Sequence, residues 1–188
     1  FHTVEDAERI RDHNFRAIYG NWAYLKTYMK DKYGKYKLAY LSYNAGKRES
    51  YRLIGDVLLT GIDVKNKIDY PDAIVTATWG IDLHYPDKRN SKYFPGEEFI
   101  AYAVHPDKRK DVYTFPYRCL YSRNIENLFM AGRNISVTHI ALGTVRVQRT
   151  TGMMGEVIGL AAFLCSKNHC SPRQLYINHL KELLDSVL

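Results

Sequence analysis

Residues 127–165 read NLFMAGRNISVTHIALGTVRVQRTTGMMGEVIGLAAFLC, and this stretch decides how the rest of the chain is read. A short apolar run, Leu128 to Ala131, ends at Gly132. A polar loop follows, and then a helix pattern punctuated by glycine. Gly152, Gly155, Gly159 and Ala162 recur three and four residues apart, which places them on one helical face. Small residues on one face permit close approach to another backbone. The start of such a helix offers unpaired N–H groups and the positive end of a dipole to a negative or carbonyl-rich ligand. Apolar strand, glycine, polar loop and close-packed helix together make a unit suited to a nucleotide-type cofactor.

Outward from this stretch, composition sets bounds. A chain of 188 residues is one ordinary domain or part of a larger one. With 46% hydrophobic and 25% charged residues it is globular and carries a core. Most of the 16 tyrosines precede residue 122, which suits a partly wet sheet or a binding face. The net charge of +7 is spread along the chain, with short clusters at 26–37 and 108–110. No nucleic-acid motif accompanies it, so a solvated basic face is expected and no nucleic-acid partner. The three cysteines are odd in number and form no CxxC, so free, buried thiols are expected. Cys165 and Cys170 can pair only if the turn between them brings their side chains together. No apolar run is long enough for a membrane span.

In chain order, residues 3–33 predict one long helix, with Thr3 as cap, a stripe through Ile10, Phe15, Ile18, Trp22, Leu25 and Met29, and Gly34 as stop. Tyr36–Tyr43 alternates and predicts a strand. A brief helix before Lys67 is capped by Thr60 or Asp63. Strands are expected at 73–80, 99–104 and 112–115, with a charged loop over 87–96. Ser171-Pro172 opens a final amphipathic helix. The fold class is α+β, an antiparallel sheet with helices. The one composition shift, near residue 122, divides a 1–121 portion from a 122–188 portion.

Candidate chemistry sits in three places. Lys47, Arg48 and Arg52 surround Glu49, as a salt-bridged turn or as a guanidinium pair for a carboxylate or phosphate. Asp82 and His84, two apart on a strand, share a face, where the carboxylate tunes the imidazole or simply orients it. No Ser or Cys nucleophile motif supports a hydrolase triad. His169 and Cys170 lack a second ligand pair, so no metal is expected.

The run PYRCLYSRNIENLFMAGRNISVTHIALGTVRVQRTTGMMGEVIGLAA at 116–162 resembles the C-terminal end of bacterial FAD-dependent oxidoreductases, as do GKRESYRLIG at 46–55 and TWGIDLH at 78–84. These enzymes belong to the glutathione-reductase-like flavoprotein superfamily and are distantly similar to the fumarate reductase flavoprotein. The resemblance implies a Rossmann-type FAD-binding domain interleaved with a substrate domain. It assigns 1–121 to the substrate side, with a long helix and mainly antiparallel sheet, and 122–188 to the end of the FAD-binding domain and a terminal helix. Ala131, Gly132, Arg133 and Asn134 match the strand-end motif beside the cofactor's pyrophosphate and ribityl chain, with Arg133 where relatives place an acidic residue. Gly143, Thr144, Val145, Arg146, Thr151 and Gly152 lie in the segment whose N–H groups approach the isoalloxazine edge. Arg48, Arg52, Asp82 and His84 match substrate-side motifs and are expected as anchors or proton donors.

The family's GxGxxG fingerprint does not occur in these residues. The chain is therefore expected to be a C-terminal piece of a longer enzyme. Its partner is then the missing N-terminal Rossmann half, with FAD bound in the parent and weakly or not at all here. An uncovered apolar face, or a homodimer over it, follows. Localisation is open between bacterial cytoplasm and periplasm. The substrate is a small molecule or carbohydrate. The alternative is a carbohydrate-binding or polysaccharide lyase-like module, which has no need of the 131–152 unit.

Overall fold

The computed structural model describes residues 2–87, 89, 92, 101–107 and 112–187. It is an α+β chain of helices and small sheets, in two compact units: Phe1–Ser50 with His84–Tyr102, and Tyr51–Leu83 with Ala103–Leu188. The second unit takes in residues on both sides of residue 122.

In the first unit, the expected single helix is two. Helix α1 spans Ala7–Tyr28 and α2 spans Lys30–Tyr33, with Met29 between them at φ −120°, ψ 40°. The helix starts at Ala7, beyond the turn of residues 3–6, and its stripe is only half-covered; α1 has no buried residue. The Lys26 ammonium closes the end of this segment by donating to the carbonyls of Tyr33, Gly34 and Tyr36 at 3.3, 2.6 and 2.9 Å. Residues 36–43 form no strand. Tyr43 turns back onto α1: Arg11 donates to its hydroxyl and lies 4.4 Å from its ring centroid, and Phe15 meets it edge-on at 6.4 Å. Alternation alone does not make a strand when no neighbour supplies the hydrogen-bond ladder.

The second unit holds the core. Helix α3, Gly61–Asn66, begins in a capping box: Thr60 Oγ1 accepts from the Asp63 N–H at 3.2 Å and Asp63 Oδ2 accepts from the Thr60 N–H at 2.8 Å. Strand β1, Ala73–Ala77, is followed by β2, Ile81–Pro86, β3, Ala101–Asp107, and β4, Tyr113–Pro116. β1 pairs antiparallel with β4, with Val75 opposite Phe115 and a register irregularity between Ala73 and Val75. β2 pairs with β3, which runs on through His105 and Pro106 instead of ending there. Most of the loop expected at 87–96, residues 99 and 100, and the charged turn at 108–111 lie outside the described residues.

Three irregular segments are laced together by backbone bonds. Leu53 N–H donates to Asn134 O, Asp56 N–H to Arg118 O, Leu59 N–H to Ser136 O and Ser136 N–H to Cys119 O, all at 3.0–3.1 Å. Met130 N–H reaches Leu120 O at 2.7 Å. Gly55 sits inside this lattice, where a Cβ would collide with the carbonyls of Arg118 and Tyr121. These bonds satisfy buried polar backbone without regular strands. Asp72, fully buried, anchors the same region. Arg118 donates to it from Nε at 2.9 Å, Nη2 at 2.8 Å and its own backbone N–H at 3.0 Å.

Helix α4 spans His139–Val145, α5 Gln148–Lys167 and α6 Pro172–Val187. α5 buries Thr150, Met154, Val157, Ala161 and Leu164, spaced four and three apart, and packs on β1 and α6. Ser171 caps α6: its hydroxyl accepts from Gln174 N–H at 3.3 Å while the Gln174 side chain accepts from Ser171 N–H at 2.8 Å. Pro172 then occupies the first helical position, where no amide hydrogen is needed. Among the described residues no helix is long and apolar enough to cross a membrane.

Candidate functional site

The loop after Phe129 is held from two sides. Phe129 bridges Tyr121, and Met130 is buried. Gly132 then adopts φ +116°, which glycine reaches without a steric penalty. Its N–H donates to the Sδ of Met154, buried on α5, at 3.2 Å. That bond fixes the loop against the second turn of α5. Ala131 and Arg133 are exposed on either side of the glycine, and Asn134 is half-buried, its carbonyl accepting from Leu53.

Two residues, Arg146 and Val147, form the elbow between α4 and α5. Thr138 caps α4 by accepting from the Ala141 N–H at 3.5 Å. Gly143, Thr144 and Val145 are helical and buried. A Cβ on Gly143 would stand 2.8 Å from Asp82 O, so the glycine permits α4 to touch the backbone of β2. The Thr144 hydroxyl accepts from the Tyr113 hydroxyl at 2.9 Å and donates to Trp79 O. α5 starts at extended Val147 with no side-chain cap. Its first turn therefore directs N–H groups and the positive dipole end past the elbow. Thr151 is half-buried, with its hydroxyl on Gln148 O at 2.9 Å.

The glycines of α5 face away from the core. Gly152, Gly155 and Gly159 are exposed, and among the described residues a Cβ on any of them would meet no atom within 4 Å. Ala162 and Phe163 are exposed as well. The small-residue face is thus open, and the helix packs through the opposite stripe.

Asp82 gathers the polar groups. Arg146 donates to its carbonyl at 3.1 Å, and the same Nη2 lies 3.7 Å from the carboxylate. His105 Nδ1, on β3, lies 3.6 Å from the other carboxylate oxygen. Asp82 is shielded, at 17% side-chain exposure, while His105 is 48% exposed. The carboxylate thus lies within ion-pair distance, and beyond hydrogen-bond distance, of an imidazole that still reaches solvent. His84 is exposed on β2 and Arg48 is exposed in the first unit; Arg52 is half-buried in the second.

The structure therefore joins Asp82 to Arg146 and Gly143, and Gly132 to α5 just beyond Thr151 and Gly152. Sequence reasoning missed His105, Tyr113 and Met154. The first follows an expected strand, but only pairing of β2 with β3 sets it opposite Asp82. Among the described residues no group of three His, Cys, Asp or Glu side chains could hold a metal ion.

Neither a search of curated proteins nor a search of solved structures returns a match. The model of the family described as FAD dependent oxidoreductase matches residues 2–184, nearly the whole chain. The carbohydrate alternative draws no support from that match, and the chain belongs to the FAD dependent oxidoreductase family.

Proposed function

We propose that this chain forms one wall of an FAD site and the adjoining substrate side of a redox enzyme. The observation that carries the reading is the Gly132–Met154 bond, which seats the 131–134 loop beside the uncapped start of α5. The residues fit the group. Open space over Gly152 and Gly155 allows a flat or phosphorylated ligand to approach the helix backbone. The first-turn N–H groups of α5, at Gln148–Thr150, favour negative charge at the helix start. Arg133, exposed beside Gly132, adds cationic charge.

FAD, when bound, supplies a two-electron acceptor. The chain's own residues hold the ligand through Ala131–Asn134 and through Gln148–Gly152. Asp82, whose carbonyl accepts from Arg146, stands 3.6 Å from His105 Nδ1, and the pair is the polar group of the substrate side. Within the second unit Arg52 is the candidate substrate anchor; Arg48 and His84 are candidates on the first unit, taken by itself. A segment bearing the glycine-rich phosphate fingerprint supplies the other wall and covers the open face of α5. This assignment makes the chain the C-terminal part of the enzyme.

Titration of the 188-residue chain with FAD, followed by flavin fluorescence, tests the shared site. Weak, unsaturated binding is expected. Tight stoichiometric binding by the chain alone overturns the two-wall assignment. The enzyme purified from its native source is expected to show a flavin absorption spectrum; a colourless enzyme that stays colourless with added FAD overturns the flavin role itself.

A further inference from the structure

The C-terminal end of α5 carries two cysteines in a specific turn. His169 takes φ +50°, its N–H donates to Ser166 O at 3.4 Å, and the Cys170 N–H donates to Cys165 O at 3.0 Å. This pair of bonds is a Schellman termination, in which the residue after the left-handed position contacts the third residue from the helix end. Here both contacting residues are cysteines. Both are free and half-buried. Burial, with Cys170 beside it, pushes the Cys165 thiol up to about 12. A disulfide requires Cα atoms about 4.4–6.8 Å apart and converging Cβ directions, which a direct backbone bond between the same two residues favours. The helix termination has already closed the intervening loop, so bond formation demands little reordering. Cys119 is the contrast: it is fully buried and donates to Val57 O at 3.5 Å.

We propose that Cys165 and Cys170 are a thiol–disulfide exchange site whose partner is a low-molecular-weight disulfide. The inference goes beyond the flavin reading and does not depend on it. The Cys170 sulfur, after losing its proton to solvent, attacks as thiolate one sulfur of the partner disulfide. A mixed disulfide forms at Cys170, and the first partner thiolate leaves and takes up a proton. The Cys165 sulfur, losing its proton to solvent, then attacks the Cys170 sulfur and expels the second partner thiolate. Two electrons pass from the cysteine pair to the partner disulfide, which leaves as two thiols. The product joins the last turn of α5 to the residue just before Ser171 and α6. Tyr117 is packed there, its buried hydroxyl donating to Pro172 O at 3.1 Å.

The test incubates the full chain with glutathione disulfide, quenches with acid, alkylates and measures mass. Two of the three thiols should disappear together, with a mass loss of two hydrogens and no glutathione retained. Trypsin cleavage after Lys167 should leave two peptides that separate only on reduction. A stable glutathione adduct, a disulfide-linked dimer, or full alkylation of both cysteines overturns the site. Cys165→Ser should trap glutathione on Cys170; trapping only in Cys170→Ser, on Cys165, overturns the assignment of Cys170 as attacker.

Discussion

The Gly132 N–H donates to the Met154 sulfur at 3.2 Å, and this bond ties a loop at the end of an apolar run to the second turn of α5. Met154→Leu keeps the volume and removes the acceptor. The Gly132 donor is only part-buried, so losing its partner should cost about 1 kcal/mol, the low end for an unsatisfied donor. Gly132→Ala adds strain at φ +116°. Both variants should lower the urea midpoint. Wild-type stability in Met154→Leu removes the sulfur bond from the account.

The Asp72–Arg118 pair is the costliest polar contact to break. Asp72 is fully buried, and the guanidinium also lies 4.9 Å from the Tyr176 ring centroid. Removing one partner leaves a charge uncompensated in the interior, at about 3–5 kcal/mol. Arg118→Leu should therefore unfold at markedly lower denaturant than wild type. A loss below about 1 kcal/mol, the range of surface pairs, contradicts this ranking.

Asp56 should make stability depend on acid pH. Hydrogen bonds from Arg173, and then from the Tyr121 hydroxyl, hold its carboxyl below the ordinary range despite partial burial. A carboxylate with a lower pKa folded than unfolded stabilises the fold above its unfolded pKa. That contribution fades as pH falls from about 4 through the depressed folded value. The stability gap between wild type and Asp56→Asn should be widest near neutrality and close in acid. A gap that is constant with pH assigns it to packing.

Glycine substitutions should separate the two faces of the α4–α5 region. Gly143→Ala drives a Cβ to 2.8 Å from Asp82 O and should cost about 1–3 kcal/mol by overpacking. Gly159→Ala meets open space in a helix interior and should stabilise the isolated chain by about 1 kcal/mol. If the open face is covered in the assembled enzyme, Gly159→Ala weakens assembly while raising the melting temperature of the chain alone. Unchanged assembly leaves that face uncovered.

What the sequence determined by itself is local. Capping at Thr60 and Ser171, the Pro172 start of α6 and the strands around Val75 and Phe115 follow from residue types at short spacing. From Leu128 to Leu164 only the turn at Gly132 and the course of α5 follow in this way: the apolar run 128–131 forms no strand, only the isolated Tyr121–Phe129 bridge, and α4 interrupts the loop. Short-range sterics and hydrogen bonds set these features. Tertiary structure decided the rest. Tyr36–Tyr43 alternates like a strand but has no ladder partner, and Tyr43 packs on α1 instead. The glycine face of α5 reads as a packing surface, yet the core takes the Met154–Leu164 stripe because that stripe buries more apolar area. Asp82 meets His105 and Arg146 only because β2 pairs with β3 and Gly143 admits α4 against β2. Contacts between residues far apart in the chain depend on where whole elements pack, and no local pattern encodes that placement.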